Sequence, residues 1–331
     1  MNLNDGIKLF KAGKFLFDIV PVNKLYLPEY KGSSFRGGLG ESLKKTVCAQ
    51  KKKDCNDCLL KNNCIYLKIF ETPLPCDAQI MRKYRNTVHP FVLTPPLNNQ
   101  TEFISSDILT FEIILFGETI KLIDYFINAI KLLGEIGIGK QKGEFILKEV
   151  RQITNNGVQQ IYSENNENTI YKLNYDNNLL VNKSEIENHR TIQFITPARI
   201  LFNKKIIMFD EKDFQFFILI RSLLRRFYLI MYFHFNIELE IDYCKMLKLA
   251  ESVKIVSQNL KWYDWKRFSN RKKQFIPMGG FIGEVRFDEN INEFMSLLKI
   301  GEYLHIGNYT AFGMGKYIIK GIVKSKKEEK K

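Results

Sequence analysis

Acidic residues and histidines are scarce in this sequence. Its 36 Asp and Glu face 50 Lys and Arg, a formal net charge of +14 over 331 residues. A field of that sign attracts polyanions, and RNA, DNA and an anionic membrane surface are the ordinary candidates. Histidine occurs four times, as His89, His189, His234 and His305, so any acid–base role for an imidazole falls to one of these. Long uninterrupted apolar runs are missing as well. Met1 to Phe15 mixes Asp5, Lys8, Lys11 and Lys14 among its apolar residues, unlike a secretion signal, and a cytoplasmic protein is expected. Phe214 to Phe235 is the most apolar stretch, but Arg221, Arg225 and Arg226 interrupt it. Each buried charge would cost about 2.5–3.5 kcal/mol in lipid, so an amphipathic helix is expected there and no membrane partner. What is present is a core: 45% hydrophobic and 13% aromatic residues are too many for a disordered chain. The length fits roughly two domains of ~150 residues each.

Lys14 to Val20 reads as a strand, followed by a helix capped by Ser34 and carrying Phe35, Leu39, Leu43 and Val47 at helical spacing. Val88 to Leu93 and Ile108 to Phe116 are strand-like, the latter alternating Leu109, Phe111, Ile113 and Leu115. Ile120, Ile123, Ile127 and Ile130 mark a second helix, and Gly134, Gly137 and Gly139 punctuate the chain before a strand at Glu144 to Val150. Strand, helix, two strands, helix, strand is the ferredoxin-like order, one antiparallel sheet under two helices. The second half repeats it, with strands at Thr191 to Pro197, Phe281 to Phe287 and Lys316 to Val323 and helices at Glu211 to Phe233 and Ile291 to Ile300. The expected fold is α+β: two tandem ferredoxin-like (RRM-like) domains with antiparallel sheets and glycine-rich loops. Their bounds are 1–153, with a four-cysteine insertion at 48–66, and 191–323. A polar connection at 154–190, with a hairpin at Gln159 to Leu173, joins them, and 324–331 is expected to be a disordered tail.

The segment from His305 to Lys316 links the last helix to the last strand through Gly307, Gly313 and Gly315. Glycine permits positive φ and close approach, so such a loop is either an ordinary tight connection or a concavity of N–H groups for a phosphate, with Lys316 adding charge. Two ferredoxin-like units, each with a glycine turn before its last strand, resemble the RAMP superfamily and its pattern Gly-hydrophobic-Gly, five residues, Gly-hydrophobic-Gly. His305 stands where that pattern has its first glycine. Phe35-Arg36-Gly37-Gly38-Leu39-Gly40, Cys64-Ile65-Tyr66, Phe70-Glu71, Pro90-Phe91-Val92-Leu93, Gly134 to Gly139, Thr196-Pro197-Ala198-Arg199 and Gly279 to Gly283 occur in an order similar to that of the CRISPR precursor-RNA-processing endoribonucleases. The resemblance implies metal-independent cleavage within CRISPR repeat RNA, giving guide RNAs for the subunits of an effector complex.

Such cleavage needs a base for a ribose 2′-OH, an acid for the departing 5′-oxygen, and cations or N–H donors for the phosphate. The products are a 2′,3′-cyclic phosphate and a 5′-OH. His305 is the catalytic candidate by position; His234 reads as a packed core or interface residue, His89 as a residue before Pro90 at a strand start and His189 as the end of a polar linker. Members of this family carry a catalytic histidine in or beside the first helix, where this chain offers only Arg36, Lys44 and Lys45. Arg36 and Lys44 are therefore expected as electrostatic helpers and Tyr30 as a proton-transfer group. Gly307, Gly313, Gly315, Lys316, Arg267, Arg271, Lys272, Arg221 and Arg225 are the expected RNA contacts. The dense basic and aromatic run from Lys261 to Lys273 can pair cations with phosphates and rings with bases, and Arg221 and Arg225 share a helix face.

Cys48, Cys55, Cys58 and Cys64 fall in one short polar segment, and a cytoplasmic setting disfavours disulfides. A structural zinc is expected on the four thiolates, with an iron–sulfur cluster as the alternative; a closed four-cysteine shell leaves no position for water, so the metal would not be catalytic. Two other readings compete with the nuclease: a non-catalytic RAMP subunit that only binds guide RNA, and a zinc-knuckle protein for single-stranded nucleic acid. Whether the protein forms a homodimer is left open by the sequence.

Overall fold

A computed structural model describes residues 1–50, 55–75, 78–82, 86–165, 173, 189–208, 214–269 and 273–321. The expected tail at 324–331 and most of the expected connection lie outside these residues. The chain forms two compact units. The first comprises Met1–Asn178, Arg226–Glu240 and Tyr309–Met314, and the second Leu179–Arg225, Ile241–Asn308 and Gly315–Lys331.

In chain order the first unit contains α1 (Leu3–Leu9), β1 (Ala12–Pro21), α2 (Gly32–Val47), α3 (Ile65–Phe70), β2 (Phe91–Thr94), β3 (Leu109–Phe116), α4 (Ile123–Ile136), β4 (Phe145–Thr154) and β5 (Gly157–Ser163). Its antiparallel sheet runs β2-β3-β1-β4-β5, the ferredoxin-like order with one strand added at the edge. The periodicities read from sequence fall on its core. Phe35, Leu39 and Leu43 of α2, Ile123, Ile127 and Ile130 of α4, and Phe17, Phe111 and Ile113 of the sheet form one buried cluster, joined by Ala311. The alternation in β3 is incomplete because its other face is covered too. Phe116 meets Phe10 at a ring separation of 5.7 Å, and Phe10 in turn meets Phe227 and Phe235 at 5.8 and 5.7 Å. Glu112, on the same face, is nearly buried and pairs with Lys14 at 2.7 Å.

Three local expectations shift. Helix α2 starts at Gly32, two residues before Ser34, and its N-cap Lys31 makes no side-chain cap bond. The strand expected at Val88 to Leu93 begins only at Phe91, because Pro90 has no N–H for the ladder, while its carbonyl accepts the Phe116 N–H at 3.0 Å. Of the hairpin expected at Gln159 to Leu173, Gln159 to Ser163 belong to β5, which pairs back with β4 through the turn between Thr154 and Gly157, and residues 166–172 lie outside the described residues.

The second unit is built on β6 (His189–Ala198), α5 (Phe216–Phe235, whose last ten residues count with the first unit), α6 (Tyr243–Glu251), β7 (Ile255–Tyr263), a hairpin of β8 (Lys266–Ser269) and β9 (Gln274–Pro277), β10 (Gly280–Phe287), α7 (Met295–Leu304) and β11 (Tyr317–Gly321). The sheet order β7-β10-β6-β11 is again ferredoxin-like. Phe194 and Phe281 meet edge to face at 4.9 Å, and Phe216 sits 4.9 Å from Phe287 and 5.2 Å from Phe294. The Tyr317 hydroxyl, fully buried, donates to the Leu298 carbonyl at 2.6 Å. Edge strand β7 leaves no mark in the sequence because all of its residues are exposed or half-buried, so no apolar alternation marks it. No described helix is long and apolar enough to cross a membrane.

Candidate functional site

One face of α2 carries Arg36, Gly40 and Lys44, four residues apart and therefore in register along the helix. Bare Gly40 lets the Phe70 ring come close: an added Cβ would lie 2.8 Å from its Cε1. Phe70 stacks on Tyr66, with ring centroids 5.8 Å apart and planes 4° from parallel. Each cation covers one of these rings, Arg36 at 4.9 Å from Phe70 and Lys44 at 5.4 Å from Tyr66. The Phe312 ring lies 5.1 Å from the Arg36 guanidinium, which is thus flanked by two aromatic groups. The Tyr30 hydroxyl donates to the Phe312 carbonyl at 3.0 Å. Gly32 allows this approach, since a Cβ there would collide with the same carbonyl. Three of the expected catalytic residues, Tyr30, Arg36 and Lys44, therefore share one structural unit with Phe312.

Electrostatics in this unit favour cations. Lys44 has its pKa raised, chiefly by a hydrogen bond with the Cys55 side chain, so it is an ammonium at neutral pH. Burial and its acidic neighbour Glu71 push the Tyr66 phenol well up, keeping it protonated. Lys31, next to Tyr30, is fully buried; its ammonium donates to the carbonyls of Asn98 at 2.6 Å and Glu29 at 3.1 Å, and burial lowers its pKa. The sequence carried no signal for that burial. His89 packs against Phe91 at 5.5 Å, and burial followed by the Arg36 charge lowers its pKa to about 3. His234 meets the Val88 carbonyl through Nε2 at 2.7 Å, and burial lowers its pKa to about 4. Both imidazoles are neutral at physiological pH and weak bases, in keeping with packed residues.

The glycine loop differs from its expected form. His305 is 0% exposed. It caps α7 at φ +58°, a conformation that explains why glycine suits this position. An enclosed imidazole does not reach a phosphate that arrives from solvent, which counts against direct acid–base work by His305 in this conformation. The loop amides are also largely committed. Those of His305, Ile306, Asn308 and Gly315 donate to the carbonyls of Gly301, Gly315, Arg199 and Pro197 at 2.8–2.9 Å, and that of Lys316 to the Thr196 hydroxyl at 2.8 Å. Phe312 and Gly313 donate within their own turn. Gly307, Gly313 and Gly315 all have positive φ, and each lies against backbone that a Cβ would strike: Arg199, Leu93 and Ile306 respectively. These glycines serve close packing of the loop. The half-buried Lys316 is the loop's cation.

Arg221 and Arg225 are both exposed on one face of α5, and Arg221 lies 5.1 Å from the Phe202 ring. Arg226, one residue on, is drawn inward, with its pKa lowered by burial to about 10. Arg267 is half-buried on β8; Arg271 and Lys272 lie outside the described residues. Cys48, Cys55, Cys58 and Cys64 are free and half-buried. Among the described residues no three or more His, Cys, Asp or Glu side chains are grouped to hold a metal ion, so this arrangement gives the zinc expectation no support.

Residues 192–317 match the family model of the CRISPR-associated endoribonuclease Cas6, and residues 10–174 match an N-terminal domain model named after AF_1859. Residues 192–317 thus form a domain of the Cas6 family. Among relatives, an uncharacterized protein of Archaeoglobus fulgidus is 25% identical over 300 residues, covering 89% of this chain and 93% of the relative. Among solved structures, a partial Cas6-RT-Cas1–Cas2 complex matches 95% of this chain at a TM-score of 0.59 and 13% identity; this chain spans 47% of that longer one. A Thermus thermophilus Cas6 in its product complex matches with a TM-score of 0.53 and 14% identity, covering 94% of this chain and 99% of that one. At such identities the likeness establishes the Cas6 fold, two ferredoxin-like units, and leaves the chemistry to the residues described above.

Proposed function

We propose that this chain binds CRISPR repeat RNA and cleaves it without a metal ion, through attack of a ribose 2′-OH on the adjacent phosphate. The products are a 2′,3′-cyclic phosphate and a 5′-OH. The observation that carries the reading is the cationic stripe of α2: Arg36 held between Phe70 and Phe312, with Lys44 two turns along, near the Tyr30 hydroxyl that anchors Phe312. A guanidinium fixed by two rings is pre-organised to meet charge that builds on phosphate oxygens. Lys44, held protonated, supplies a second positive group or the proton for the departing 5′-oxygen, and Tyr30 a further hydroxyl for proton transfer. Holding the 2′-oxygen in line with the leaving oxygen accounts for the remaining acceleration. His305 serves as a positioning residue, setting the backbone where α7 ends and the glycine loop begins.

A second reading, an RNA-binding subunit that does not cut, is favoured by one observation: His89 and His234 have pKa values of about 3 and 4 and His305 is enclosed, which leaves little imidazole chemistry at neutral pH. The two readings separate in one assay. The full chain is incubated with a panel of CRISPR repeat RNAs and excess chelator, and each RNA is also made with a single 2′-deoxy substitution at the cut. Cleavage that survives chelator, stops with the 2′-deoxy sugar and leaves a phosphatase-resistant 3′ end supports the nuclease. Binding without cleavage of any repeat overturns it in favour of the second reading.

A further inference from the structure

Antiparallel strands alternate sides, and β8 pairs with β9 through Lys266↔Pro277, Arg267↔Ile276, Phe268↔Phe275 and Ser269↔Gln274. Lys266, Phe268, Phe275 and Pro277 therefore share one face of the hairpin, and all four are exposed. Arg267 and Ile276, on the opposite face, are half-buried. Burial is thus inverted: the aromatic pair faces water while an arginine is turned inward. Phe268 is 49% and Phe275 67% exposed, among the largest apolar exposures on the chain, and their rings meet edge to face at 5.3 Å and 69°. Around them the sequence from Trp265 to Met278 holds Lys266, Arg267, Arg271, Lys272 and Lys273 and no carboxylate.

From this we infer that Phe268 and Phe275 form a stacking site for an unpaired nucleobase of bound RNA, with Lys266 and Lys273 on the flanking phosphates. This deepens the RNA-binding part of the proposed function and rests on it. A hairpin segment with five cations and no carboxylate of its own selects a polyanion over a protein partner, and exposed rings among cations are the combination that holds single strands, because every base offers a π-face. In a duplex those faces are covered by neighbouring bases, so the ring pair takes a base only where the strand is open. Within the basic run from Lys261 to Lys273, whose rings are expected to meet bases, Trp262 and Trp265 are half-buried and Phe268 is exposed, joined by Phe275 from β9.

The test compares the full chain with F268A/F275A and with K266A/K273A. The probes are a fluorescein-labelled 12-nucleotide poly(A) RNA carrying one 2-aminopurine, and a 12-base-pair RNA duplex. Stacking strengths convert to about 5- to 150-fold weaker poly(A) binding by F268A/F275A. That variant should also lose 2-aminopurine quenching and keep both duplex affinity and the slope of log K against log salt. K266A/K273A should lower that slope and retain quenching. Equal poly(A) affinity and quenching for F268A/F275A and the parent would overturn the stacking site and leave cleavage of repeat RNA untouched. Failure of the parent chain itself to bind either RNA would overturn the RNA-binding reading beneath it. If F268A/F275A instead changes only the sedimentation coefficient, the face joins two copies of the chain and the inference is wrong.

Discussion

Replacing Arg36 separates its two duties. The guanidinium lies 4.9 Å from Phe70 and 5.1 Å from Phe312 and is half-buried. Each such cation–ring pair is worth about 0.5–1 kcal/mol at an exposed site and about 2 kcal/mol when desolvated, so Arg36→Ala should cost about 1–3 kcal/mol of stability. At roughly 2–4 °C per kcal/mol for a domain of this size, the first unit should melt about 2–12 °C lower. The chemical step should suffer more. Losing one donor aimed at transition-state charge costs about 10²–10³ in rate. Arg36→Lys retains the charge and loses the planar stack, so it should recover part of the rate while melting below the parent. Single-turnover cleavage of repeat RNA, read beside circular-dichroism melts, checks both halves. An Arg36→Ala protein that cleaves at the parental rate would remove Arg36 from the phosphate, whatever its melting temperature.

Further outcomes are expected elsewhere. Gly315 has φ +73° and lies against the Ile306 carbonyl, so Gly315→Ala should destabilise the second unit by more than the ~1–2 kcal/mol of the left-handed conformation alone. Gly37 lies exposed in α2, and a Cβ added there would meet nothing within 4 Å, so Gly37→Ala should instead stabilise by about 0.5–1 kcal/mol; urea titration distinguishes the two. His89 and His234 have folded pKa values of about 3 and 4, below the unfolded value near ~6.5, so the unfolded chain takes up more protons between these limits. Stability should be flat above about pH 6.5 and fall as pH drops toward 4, and His89→Phe should flatten that fall in urea midpoints measured across the range. Removing the exposed Arg221 and Arg225 together should reduce the slope of log K against log salt for single-stranded RNA by about 0.7 for each phosphate left unneutralised, and an unchanged slope would exclude both from the interface.

Much of the fold was legible because its cores are periodic. Phe35, Leu39 and Leu43, and Ile123, Ile127 and Ile130, announce α2 and α4 by spacing alone, and all are buried. Strands with little apolar alternation, such as β7 and the β8–β9 hairpin, left no comparable mark. The site was legible in part. Arg36, Lys44 and Tyr30 could be named as candidates by position, but the two rings that flank Arg36, Phe70 and Phe312, are 242 residues apart in sequence and adjacent to one guanidinium in space. Nothing local predicts such a pairing. His305 shows the reverse case. A histidine beside three glycines looks available, whereas the fold spends it on a helix cap and closes the core over it.

The first unit is completed by Tyr309–Met314, which arrive late in synthesis. At ~5–20 residues per second, the ribosome adds these residues on the order of ten seconds after Asn178 has been made. Until then Arg36 lacks its second ring and Tyr30 its carbonyl partner. A nascent or truncated polypeptide that stops short of Tyr309 therefore carries the cations without the frame that orients them.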